Sequence, residues 1–166
     1  MRRFLYFIFM GFFLINIVVA NSTQEYTLKN GLHLLVKADH RAPVAIFQIW
    51  YRVGGSYEHN GTTGISHVVE HMMFEGSKHY PQGMFDKVVA TNGGQSNAFT
   101  TDDYTVYFEE FAANKIALSF KLESDRMQHA LLTNKAFKKE IQVVMEERRM
   151  RYGDQPSMLL YERLRA

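Results

Sequence analysis

No cysteine occurs anywhere in the 166 residues. That excludes a disulfide scaffold, an iron–sulfur centre, a cysteine-ligated zinc finger and a lipid-anchored cysteine. An excess of charge is missing as well. Lysine and arginine number 19 against 17 aspartates and glutamates, and Arg2 and Arg3, in a leader without acids, account for the difference. No basic patch points to nucleic acid. The sequence also lacks internal repeats, low-complexity tracts and linkers, so its length fits one domain of about 100–200 residues. What is present is ordinary for a globular chain, 46% hydrophobic and 22% charged residues, which excludes disorder and collagen-like structure.

Arg2-Arg3 precedes Phe4 to Val19, an uncharged apolar run, and Ala20 stands before Asn21-Ser22. A charged start, an apolar stretch and a small residue are the layout of a secretory signal peptide. The run of about 16 residues falls short of the roughly 20 that a membrane span needs. Residues 1–20 are therefore expected to be an export signal, with a retained N-terminal anchor as the alternative. In a bacterium this implies a secreted or periplasmic protein with no stable membrane association once the signal is removed. Residues 21–166 are the expected functional domain.

Glu25 to Lys37 reads as a hairpin around Asn30-Gly31, a pair suited to a type I′ turn. Val44 to Val53 reads as a third strand. Ala45, Phe47, Ile49, Tyr51 and Val53 give it one apolar face, and Val44, Ile46 and Trp50 make the other partly apolar, which predicts a central position. Helices are expected over Gly64–Glu75 and Pro81–Ala90, strands over Gln95–Phe99 and Tyr104–Glu109, and long helices over Asn114–Leu131 and Asn134–Met150. A last helix starts near Pro156 and still runs at Ala166 without a C-cap, as if the chain were cut within it. Strands and helices are partly segregated, which predicts an α+β fold with an antiparallel-rich mixed sheet packed against helices.

His67-Val68-Val69-Glu70-His71 carries the chemistry. Residues four apart on a helix point the same way, so His67 and His71 can hold one zinc ion at about 2.0–2.1 Å each. Glu70 lies beside that face, placed as a general base on water at the metal. Val68, Val69, Met72, Met73 and Phe74 make the helix apolar, and two histidines and an acid in such surroundings need partners that a metal supplies.

This is the inverted zinc motif, and the stretch Gly64 to Ser77 resembles the pitrilysin/insulinase family of metallopeptidases. The resemblance runs from about Gln24 to Ala166 and includes the strand Gln48 to Ser56 before the zinc helix. It implies that family's α/β-roll domain, one zinc per domain and a third ligand, a glutamate far downstream. Both Glu146 and Glu147 stand in that window. At about 100° per residue, with Val144 at zero, Phe137 and Ile141 fall near +20° and +60° and define the buried face. Glu147 falls near −60°, flanking it, and Glu146 near −160°, towards solvent. Glu147 is the expected ligand. Glu140 lies near −40° on the same side, and the resemblance offers an acid seven before the ligand that orients a ligand histidine or tunes the water. A pairing with a lysine is the plainer reading of Glu140.

Gly94 to Thr100 also resembles the family's edge strand, which takes the substrate backbone as an added strand. Asn97 and Ala98 are the expected substrate-binding residues. His33, His40, His59, His79 and His129 show no ligand spacing with a partner and are read as surface residues. Arg148, Arg149 and Arg151 read as a solvated or salt-bridged helix end.

The expected activity is zinc-dependent endopeptidase hydrolysis of peptides or small proteins, with Glu70 taking the proton of the attacking water and passing it to the leaving amine. Members of the family pair such domains into a shell around the substrate, so the partners implied are a missing C-terminal domain or a homologous subunit. The alternatives are a non-catalytic subunit of the same family, which the presence of every ligand argues against, and an inactive piece of a longer protease.

Overall fold

The computed structural model describes residues 23–153 and 155–165. The signal or anchor expected at residues 1–20 lies outside the described residues. No helix among the described residues is long and apolar enough to cross a membrane. The chain divides into two units, Met1–Ala42 and Pro43–Ala166, and each is described by itself.

The first unit contributes a hairpin of β1 (Gln24–Thr27) and β2 (His33–Val36), antiparallel with Thr27 opposite His33. Its turn differs from the expected type I′. Gly31 has φ +85°, and no non-glycine residue among the described residues has positive φ. The Gly31 N–H donates to the Leu28 carbonyl, and the Leu28 N–H to the Leu32 carbonyl, both at 2.9 Å. Lys29-Asn30-Gly31 is therefore a three-residue loop in which glycine alone takes the left-handed position. The Asn30 side chain accepts from the Leu32 N–H at 3.2 Å.

The second unit runs β3 (Val44–Tyr51), α1 (Ile65–Met72), α2 (Met84–Thr91), β4 (Gln95–Thr100), β5 (Thr105–Ala112), α3 (Ala117–His129), α4 (Asn134–Arg148) and α5 (Pro156–Arg165). A π-helical turn over Arg149–Gly153 links the last two. The sheet order is β3-β5-β4, with both pairings antiparallel. Among the described residues β5, not β3, has a strand on each side. β5 carries the buried pattern a central strand needs, from Thr105 to Tyr107 and again at Glu109 and Phe111. β3 alternates between half-buried and exposed, with Ile46 and Trp50 on the open face. Its two-sided apolarity marks an uncovered face, not a central strand.

α2 also starts later than Pro81. Gly83, at φ +74°, is its N-cap, and Pro81 instead accepts a turn hydrogen bond from Met84 at 2.8 Å.

Two apolar cores form. Phe85 and Val89 of α2 meet Phe111 of β5 and Leu122 of α3. Val68 and Met72 of α1 meet Ala136 of α4, flanked by Phe137, Ile141 and Val144. Burying each of the larger side chains contributes about 1.5–3 kcal/mol, so the second core fixes how α1 and α4 face one another.

Candidate metal centre

α1 begins with an N-cap, Gly64, that has no side chain to cap it. Glu58 does this from outside, accepting from the Gly64 N–H at 2.6 Å and the Ser66 N–H at 2.7 Å. Burial pushes the Glu58 carboxyl up, but those two amides, together with the Ser66 side chain and the nearby His67, hold it below the ordinary carboxylate range. A carboxylate on free amides at a helix start is the favourable sign for the helix dipole. Glu58 reaches this place through the turn at Gly54-Gly55 that follows β3. A Cβ at Gly54 would lie 2.2 Å from the Thr101 carbonyl, and the Gly55 N–H bonds that same oxygen at 3.1 Å.

On α1, His67 and His71 lie one turn apart with ring centroids 4.8 Å from each other. Across the apolar seam, α4 presents Glu147. One oxygen of Glu147, Oε2, is 3.6 Å from His67 Nε2 and 3.5 Å from His71 Nε2. The helical register expected for α4 holds, since Phe137, Ile141 and Val144 pack on α1 and Glu147 stands beside them. Glu146 points elsewhere, bonded by Arg149 at 2.6 Å, which holds its carboxyl below the ordinary range.

Glu140 shows both expected pairings. Its Oε2 is 3.1 Å from His71 Nδ1, and its Oε1 is 3.1 Å from Lys139 Nζ. With Nδ1 engaged by a buried carboxylate, His71 keeps Nε2 aimed at Glu147. Glu70 is buried and accepts a hydrogen bond from the Thr100 hydroxyl at the end of β4. Asn97 and Ala98 lie on the same strand, where the Asn97 side chain accepts from the Ala98 N–H at 2.8 Å. No described contact ties them to the histidines.

Two partners escaped the sequence, Glu58 and Thr100, and so did the particular partner of Arg151, whose guanidinium pairs with the other oxygen of Glu147. An acid six residues before a glycine N-cap was the available signal for Glu58. Thr100 and Arg151 became visible only through packing. Arg148 pairs with Glu162 at 2.5 Å, so the arginines do form a salt-bridged helix end.

The donor set fits zinc. Two ligands at about 2.0–2.1 Å from a tetrahedral ion stand about 3.3 Å apart, close to the 3.5 and 3.6 Å found here. The ligand atoms of His67, His71 and Glu147 all lie within 4.8 Å of one another.

A family profile described as insulinase, peptidase family M16, matches residues 33–166. The chain belongs to that family. A zinc protease of Helicobacter pylori, PqqE, is 38% identical over 141 residues, covering 84% of this chain and 32% of that protein. The beta subunit of the mitochondrial processing peptidase of Lentinula edodes is 29% identical, covering 75% of this chain and 27% of its own length. Among solved structures, a protease from Helicobacter pylori superposes with a TM-score of 0.80 at 36% identity, covering 86% of this chain and 34% of that one. The α+β architecture expected from the sequence is thus the family's. The chain spans about a third of the length of these relatives, which include zinc proteases and a subunit of a larger peptidase.

Proposed function

We propose that this chain is the zinc-binding half-site of a metalloendopeptidase, with His67, His71 and Glu147 holding the metal. The observation that carries this reading is the approach of both imidazole Nε2 atoms to a single Glu147 oxygen. Bound there, zinc would polarise the scissile carbonyl and acidify water. Glu70 takes the proton from the attacking water and returns it to the leaving nitrogen. The Thr100 hydroxyl holds the Glu70 carboxylate in place, and Glu140 orients His71.

β4 supports the substrate reading. Among the described residues it pairs with β5 alone, so its other side is open to an added strand of peptide. Asn97 and Ala98 lie along that strand, and an incoming backbone competes with Asn97 for the Ala98 amide. The remaining walls of the site come from a second domain or a homologous subunit. The charged and apolar leader supports export.

The test is Glu70→Gln in the intact protein that carries this domain. Peptide cleavage, as kcat/KM, should fall by about 10²–10⁴ while bound zinc is retained. Unchanged cleavage with zinc in place would remove Glu70 from its role.

A further inference from the structure

Two histidines read as surface residues prove to share a partner. Among the described residues a second group of metal-ligating side chains comes together: His79, Asp125 and His129, all ligand atoms within 4.8 Å of one another. Asp125 Oδ1 is 2.5 Å from His79 Nδ1 and 2.9 Å from His129 Nδ1. The rings stand edge to face with centroids 5.4 Å apart. Asp125 and His129 are four apart on α3, the same spacing that places His67 and His71, and His79 arrives from the segment before α2.

We propose that His79, Asp125 and His129 form a second site for a divalent transition metal, separate from the centre on α1 and α4. Two imidazoles and one carboxylate are a zinc or nickel donor set. The carboxylate is built into the fold. Its side chain is 8% exposed, and its second oxygen is engaged by the Ser77 hydroxyl and by the His79 N–H at 3.2 Å. That leaves Oδ1 facing both imidazoles, a ligand fixed from behind.

The backbone around it is tied down as well. The Lys78 N–H donates to the His129 carbonyl at 3.1 Å, and the Leu131 N–H to the Gly76 carbonyl at 2.9 Å. Gly76 has φ +110°, and a Cβ there would lie 2.6 Å from the Gln82 nitrogen. The imidazoles are the adjustable members. Ligands of a tetrahedral ion stand about 3.3 Å apart, so from 2.5 and 2.9 Å the His79 ring must swing outward by about 0.8 Å and the His129 ring by about 0.4 Å. Side chains 60% and 38% exposed have room to do so. Each ring then carries its proton on Nε2 and turns the Nδ1 lone pair to the ion. The metal would staple the segment before α2 to the end of α3, some fifty residues away in sequence.

Zinc titration of the full chain tests this, followed by metal analysis after dialysis. The wild type should retain two equivalents. His67→Ala/His71→Ala and His79→Ala/His129→Ala should each retain one, and the fourfold variant none. In the His67→Ala/His71→Ala background, zinc should raise Tm, and His129→Ala should weaken that binding at least about tenfold. A His79→Ala/His129→Ala chain that retains as much zinc as wild type overturns the second site. So does a wild type with one equivalent that His67→Ala/His71→Ala abolishes. His79 is exposed and the other three histidines are half-buried, so circular dichroism is used to check that every variant is folded before its zinc is counted. A failure at His67 and His71 alone bears on the peptidase reading and not on this site.

Discussion

α3 and α4 are the two longest helices among the described residues, and each sets one carboxylate between a pair of histidines, yet they pack by opposite means. α4 buries an apolar stripe of Ala136, Phe137, Ile141 and Val144 against α1. α3 buries Ser119, Glu123, Asp125 and Arg126 along with Leu122. Arg126 is 2% exposed. Its guanidinium pairs with Glu123, approaches Glu109 of β5 at 3.5 Å, and lies over the rings of Phe74, Phe85 and Tyr107 at 5.1, 4.4 and 4.5 Å. An apolar stripe announces its direction in the sequence. A charged one reads as a solvent face until the partner strand is seen.

The largest effect should come from breaking the charged face. Arg126→Leu leaves Glu123 buried without its cation, which costs about 3–5 kcal/mol. Chemical denaturation would show it as a lower midpoint. A loss of under about 1 kcal/mol would place Arg126 with ordinary surface arginines.

The apolar seam makes a different demand, since there the carboxylates act through the histidines. Glu140→Gln should weaken zinc about 10–100-fold with little change in the melting temperature. An unaltered zinc affinity would reduce Glu140 to its pairing with Lys139.

The smallest effect, taken per pH unit, distinguishes the two faces. Burial, reinforced by the neighbouring Glu123 carboxylate, pushes Glu109 up to about 9. Between the ordinary value of 4.5 and that point, the folded chain keeps a proton that the unfolded chain has released. Glu109 therefore contributes less stability as pH rises through that window, at most about 1.4 kcal/mol per pH unit. Glu109→Gln should flatten the fall in Tm between pH 6 and 8. An identical slope in the variant would mean that the carboxyl is ionised in the folded chain.

The same contrast explains what the sequence could tell. Every α-helix and strand of the second unit was legible within a few residues, because each follows a period of 3.6 or 2 and is bounded by glycine, proline or a polar turn, whereas the π-helical turn over Arg149–Gly153 was not. His67, Glu70 and His71 were legible because one helix carries them all. The family resemblance narrowed the expected third ligand to Glu146 or Glu147, and the direction of α4's apolar stripe then favoured Glu147. The position of β3 was misread because an apolar outer face looks the same whether or not another element covers it. Pro81 suggested a helix start that Gly83 takes instead. Asp125 was overlooked beside His129 although the spacing was in plain view, since its third partner, His79, comes from a distant segment. Thr100 and Glu58 belong to the same class, residues whose roles arise where two elements meet.

We propose that the α1–α4 seam, by fixing the register of α4, makes Glu147 and not its neighbour the third zinc ligand. The direct measurement is zinc affinity by competition with a chromophoric chelator in the His79→Ala/His129→Ala background, where the centre on α1 and α4 is read alone. Glu147→Gln should weaken binding by at least about 100-fold, while Glu146→Gln, which loses only the pairing with Arg149, should leave it unchanged. Equal losses in the two variants, or a loss in Glu146→Gln alone, would contradict the register and the site built on it.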